Sequence, residues 1–159
     1  MFAERIMTTN IATCSPDQPV HEVIDIMTEK RLHTLPVIDA DGILLGSLNT
    51  LSVLNRIVPE YIVTGDLKAV PYAPDFGLLR KHYLALNNSK TTVAEVMERH
   101  PTTVHANESL LSVTAALITY DRFEFVIVID DASKMLGIIS SNDILRALHD
   151  QFPLEIETV

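Results

Sequence analysis

Apolar positions along this chain switch between helical and strand spacing, and they do so twice in the same order. Val20, Val23, Ile24 and Met27 recur at helical intervals. Leu35-Pro36-Val37-Ile38 follows as a near-continuous apolar run of strand length, the pattern of a strand buried on both faces. A turn on Asp39-Ala40-Asp41-Gly42 leads to a second strand from Ile43 to Leu48, and so short a connection predicts a hairpin. A helix begins near Thr50 and carries Leu51, Leu54 and Val58. The later half repeats the series with Leu110, Val113, Leu117 and Ile118, then Val126 to Ile129, a turn on Asp130-Asp131-Ala132-Ser133, a strand from Met135 to Ile139, and a helix near Ser141 with Ile144, Leu145 and Leu148.

Each series has the same approach. Met7 and Met97 stand ninety positions apart, followed by short strand candidates at Ile11 to Cys14 and Thr102 to Val104. Turn-forming stretches then precede the first helix of each copy, with Pro19 and Ser109 placed to open it. Each copy therefore reads strand, helix, strand, strand, helix, and the predicted class is α/β, of the α+β kind. The expected division is a first repeat at 1–58, a linker at 59–90, a second repeat at 91–149 and a tail at 150–159. In the linker Pro59, Gly65, Pro71 and Pro74 interrupt regular structure, while Leu78, Leu79, Tyr83 and Leu86 share one helical face after Asp75, which predicts a short helix over 75–87. Two roles for it stay open: a partner surface or lid within Pro71 to Leu86, or an insertion that packs on its own molecule.

Composition narrows the function. At 159 residues and 47% hydrophobic, the chain is one compact domain or two small ones sharing a core. A formal charge of −9 argues against nucleic acid as a partner, because Lys and Arg contacts to phosphate supply most of that affinity. Cys14 is the lone cysteine, which fits a reducing compartment and a packing role. No apolar run approaches the ~20 residues that span a bilayer, and MFAERIMTTN lacks a cationic start and apolar core. The expectation is a cytoplasmic protein without membrane insertion. The six histidines show no i, i+4 pair and no cysteine cluster, and no Gly-rich phosphate loop, nucleophile elbow or supported acid pair occurs, so neither a metal site nor catalysis is expected.

The stretch with most chemistry is Gly137 to Leu145, GIISSNDIL, a strand that turns into a helix. Hydroxyls, free N–H groups and a carboxylate meet on one rim there, which suits a ligand carrying phosphate and ribose. Ser-Ser-Asn-Asp before an apolar helix is equally an ordinary N-cap.

The duplicated βαββα unit, the Met at the opening of each copy, the Leu35-Pro36-Val37-Ile38-Asp39 strand and the Gly137, Ile138, Ser140, Asp143 signature resemble a pair of cystathionine-β-synthase (CBS) domains, a Bateman module, over residues 3 to 58 and 93 to 149. The resemblance implies two units about a pseudo-twofold axis and a homodimer. It also implies a regulatory role that senses AMP, ADP, ATP or S-adenosylmethionine between the repeats for a partner enzyme or transporter. On it, Asp143 accepts from ribose hydroxyls, and Ser140 with the N–H groups near Asn142 faces phosphate. Asn10, Ile11 and Ala12, with Leu32 and His33, form the wall for the base.

Two departures qualify this expectation. The first repeat places Asn49 and Ser52 where the second has Ser140 and Asp143, so only one competent pocket is expected. Glu124 and Phe125 stand where phosphate-gripping relatives carry His or Arg, with Arg122 and Lys134 nearby in sequence, so an AMP-like ligand is favoured over ATP. The alternative is a dimerisation or scaffolding module whose pockets are vestigial.

Overall fold

The structure is a computed structural model, and it describes residues 1–64, 76–119 and 124–152. Its elements are α1 (Val20–Lys30), β1 (Thr34–Ile38), β2 (Leu44–Asn49), α2 (Thr50–Ile57), α3 (Glu60–Thr64), α4 (Phe76–Asn87), α5 (Val93–Val96), β3 (Thr103–His105), α6 (Leu110–Thr119), β4 (Phe125–Ile129), β5 (Met135–Ser140) and α7 (Ser141–Gln151). The arrangement is mixed α+β with two small sheets, as the periodicity predicts. Gly65, Pro71, Pro74, Asp75, Arg122 and the tail from 153 onward lie outside the described residues.

The chain divides into two compact units that do not follow its two halves. One gathers residues 1–12, 41–44 and 101 onward; the other gathers 13–40 and 45–100. In the first, β3 runs parallel to β4, with Thr103 opposite Ile127, and β4 runs antiparallel to β5, with Phe125 opposite Ser140. Val104, Val126, Val128 and Ile139 from the sheet pack on Val113 of α6 and Ile144 of α7. Removing these aliphatic side chains from water supplies most of the driving force for the unit, at roughly 25 cal/mol per Å² of apolar surface. The N-terminal segment is built into this core. Ala3 is fully buried there, the Ala3 and Glu4 amides donate to the carbonyls of Glu108 and Ala106 at 3.0 Å each, and Thr8 pairs with Ile138.

In the other unit β1 and β2 form a two-stranded sheet covered by α1 and α2, around Val20, Val23, Leu35, Val37 and Leu48. The α5 segment joins it: Val93 and Val96 are buried in that core, the amides of Val93 and Ala94 donate to the carbonyls of Gln18 and Pro16, and Ser47 exchanges both backbone bonds with Glu98. α4 packs on α1 and α2, with Leu86 buried and Tyr83 packed against the core.

Three local expectations change. The strand expected at Ile11 to Cys14 shrinks to one parallel bridge between Cys14 and Val37. The Cys14 amide donates to Pro36 O at 2.9 Å and Ile38 N donates to Cys14 O at 3.0 Å. In the second repeat the next rung is Ile127 N to Thr102 O at 3.0 Å; its counterpart is Pro36, which has no N–H to give, so the ladder stops. On α2, Val53 and Ile57 face the core and Leu51 and Leu54 are exposed; on α7, Leu145 and Leu148 are likewise exposed. Helical periodicity finds the stripe, but two adjacent stripes compete when both are apolar. Finally, two short helices join the expected set. α3 follows Pro59, and α5 is opened by a capping box in which Glu95 accepts from the Thr92 amide at 2.7 Å.

Candidate ligand site

β5 delivers Ser140 to the start of α7 in an extended conformation (φ −96°, ψ 165°), the backbone of an N-cap. Asp143 then closes a capping box. Its Oδ2 accepts from the Ser140 amide at 2.8 Å and from the Ser140 hydroxyl at 2.7 Å, while Ser140 Oγ accepts from the Asp143 amide at 3.3 Å. Arg146, one turn along, donates from Nη2 to Asp143 Oδ1. Asp143 is only 8% exposed and is the one buried charged residue among the described residues. A carboxylate offers about four acceptor sites, so three donors leave room for about one more.

The first repeat builds the same box from neutral groups. Ser52 N donates to Asn49 Oδ1 at 2.8 Å, Asn49 N donates to Ser52 Oγ at 3.2 Å, and the Ser52 hydroxyl is spent on Asn49 O at 2.7 Å. Both helix starts are thus self-capped, and only the second holds an anion.

The unit that contains Ser140, Asn142 and Asp143 also contains Asn10, Ile11 and Ala12. These three follow directly after the Thr8 to Ile138 bridge, whose two bonds measure 2.8 and 2.9 Å, and Ile138 lies two residues before Ser140. Asn142 and Asn10 are exposed and Ile11 is half-buried. Leu32 and His33 belong to the other unit, where they line an open, mostly apolar groove of about 490 Å³ together with Met27, Val53, Ile57 and Tyr83. His33 O accepts from the Thr50 amide at 3.0 Å. Glu124 is exposed, and the Lys134 amide donates to Asp130 Oδ1 at 2.8 Å.

One residue escaped the sequence reading. Arg146, bound to Asp143, lines with it an open depression of about 320 Å³ that Arg5, Ile6, Ala147 and Asp150 also line. Its signal was the Asp-x-x-Arg spacing, which puts both side chains on one helix face. Among the described residues no group of three or more His, Cys, Asp or Glu side chains is placed to hold a metal, and no helix is long and apolar enough to cross a membrane. Burial pushes the Cys14 thiol up to about 11, and its Sγ lies 3.7 Å from Pro36 O.

Solved structures share this architecture. Arabidopsis thaliana CBSX2 superimposes with a TM-score of 0.72 at 21% identity, over 94% of this chain and 95% of that one. CBSX2 in complex with AMP gives 0.69 at 22% identity, over 94% and 97%. The CBS domain pair of protein MJ0100, in complex with 5-methylthioadenosine and S-adenosylmethionine, gives 0.61 at 21% identity, over 95% and 98%. Among curated sequences, an uncharacterised Methanocaldococcus jannaschii protein, MJ1404, is 24% identical over 90% of this chain and 42% of its own length. The inosine-5′-monophosphate dehydrogenase of the same organism is 26% identical over 91% of this chain and 23% of its own length. The chain thus spans less than half of either relative. Residues 3–59 and 93–150 each match the CBS domain, and with both repeats accounted for the chain belongs to the CBS domain family, as a tandem pair.

Proposed function

We propose that this chain is a non-catalytic regulatory module that takes up an adenosine-containing ligand, AMP-like rather than ATP-like, and passes its occupancy to a partner enzyme or transporter. The observation that carries the reading is the buried Asp143 carboxylate, which keeps an acceptor site at the rim where Ser140 and Asn142 open α7. A ribose hydroxyl donating to it makes a charge-assisted contact worth about 1.5 to 3 kcal/mol. Asn10, Ile11 and Ala12 belong to the same unit, and Leu32 and His33 stay in the proposal on the family resemblance. The AMP and S-adenosylmethionine complexes of CBSX2 and of the MJ0100 pair support this ligand class. The preference for few phosphates rests on the net charge of −9 and on Glu124.

A second reading draws on the same geometry: both helix starts already satisfy themselves, and the exposed Leu51, Leu54, Leu145 and Leu148 offer apolar surface to a second copy. On that reading the chain is a dimerisation or scaffolding module with vestigial pockets. Thermal unfolding with AMP, ADP, ATP and S-adenosylmethionine separates the two. A ligand at 100 times its Kd adds about 2.7 kcal/mol of stability. A shift with AMP supports the sensor, and no shift with any of the four leaves the scaffold.

A further inference from the structure

A buried carboxylate needs compensation, and the two oxygens of Asp143 obtain it in different ways. Oδ2 is held by the Ser140 amide and hydroxyl, which cannot withdraw without opening the start of α7. Oδ1 is held by Arg146, whose side chain is 67% exposed. Asp150, four residues further on the same face, lines the same depression and offers the guanidinium another carboxylate. The pair also comes as a unit: where the second repeat has Asp143 and Arg146, the first has Ser52 and Asn55.

We infer that Arg146 is a latch on the ligand site: its guanidinium, bound to Asp143 Oδ1, covers the acceptor position that oxygen still has open and must move aside before a ribose hydroxyl donates there, and so it sets the affinity for adenosine compounds. This rests on the reading that Asp143 receives the ribose. Displacement exchanges a cation for a neutral hydroxyl, so part of the ligand's binding energy goes into breaking the ion pair. Salt weakens such a half-exposed pair, though less than one between two exposed groups. The affinity for adenosine, which carries no charge of its own, therefore rises with salt in the native chain.

The test is calorimetric titration of the full chain and of Arg146→Gln with adenosine and with AMP, at low and at high salt. Arg146→Met serves as a second variant should the first fail to fold. The variant is expected to bind adenosine about twofold to fivefold more tightly than the native chain at low salt, and the difference is expected to narrow at high salt. Adenosine binding by the variant alone is the same result in stronger form. If the native chain binds adenosine and the variant binds it no better at low salt, the latch is wrong while the ligand assignment stands. If AMP affinity falls on substitution and adenosine affinity does not change, Arg146 is a phosphate contact instead. If neither protein binds either compound, the ligand assignment and the latch go together.

Discussion

Met7 lies against Gly137, where an added Cβ would meet the Met7 Sδ at 3.2 Å and the carbonyl oxygen of Thr8 at 2.7 Å. Met97 and Gly46 repeat the relationship in the other unit, with the added Cβ 3.0 Å from the sulfur and closer still to Glu98 O. Each glycine belongs to one repeat and each methionine to the lead-in of the other. The two glycines are therefore required for close backbone approach, because the lead-in segment adds its edge to the repeat's last strand through Thr8–Ile138 and Ser47–Glu98.

Alanine at either glycine must push backbone aside, since the atom it meets is a carbonyl oxygen. Gly46→Ala and Gly137→Ala are each expected to cost about 1–3 kcal/mol, with Gly46→Ala the worse of the two because its contact is closer. Thermal melts read this as a fall of roughly 2–4 °C per kcal/mol for a chain of this size. An unchanged melting temperature in both would contradict the packing described.

Asp143→Ala is expected to abolish the thermal shift produced by AMP, and Ser52→Ala to leave it unchanged. Both variants keep the N-cap but lose the N3 half of a capping box, each costing about 0.5–2 kcal/mol. The comparison must therefore be the ligand-induced shift of each variant against its own unliganded melt. The reverse pattern would move the ligand to the first repeat.

Two carboxylates that accept local hydrogen bonds, exposed Glu95 and half-buried Glu108, make the acid limb of stability steeper. Glu95 is held below its ordinary value of 4.5 mainly by the Thr92 amide, and Glu108 mainly by the Ser112 hydroxyl and then by the His105 amide. Both are ionised more readily in the folded chain than in the unfolded one. Their contribution is present above 4.5 and is lost as the pH falls through their lowered values. Glu95→Gln and Glu108→Gln should each lower stability modestly at neutrality and converge on the native chain in acid, so that urea titrations show a flatter loss below that pH.

Cys14 should be inert in the native state. Its thiol is 6% exposed and pushed up to about 11 by burial, so the reactive thiolate is scarce at pH 8. Labelling with an aromatic disulfide is expected only after denaturation, and stoichiometric labelling of the native chain would show that this core opens.

Much of this was legible in residue order. The period of Val20, Val23, Ile24 and Met27 is a local property that a helix must obey, and all four are buried. The turn at Gly42 shows at residue level why the two repeats can differ. Its φ of 83° suits glycine, and Ser133 takes the same left-handed region at 63° in the second copy. The Ser140-x-x-Asp143 spacing announced a helix start, and the box has that form. Less legible was which apolar stripe faces inward: Leu51 and Val53 are equally hydrophobic, and only the position of the neighbouring sheet turns Val53 in and Leu51 out.

Residue order determined the repeated units, their helices and hairpins, and the anionic start of the last helix, because spacing, capping and turn chemistry act over a few residues. Tertiary structure decided that each lead-in segment packs in the other repeat's unit, that Pro36 cuts the first ladder to a single bridge, and that Asp143 is already held by Ser140 and Arg146. Those outcomes depend on which groups meet across long separations in the chain, and on which buried polar groups must find partners there. No local pattern carries that information.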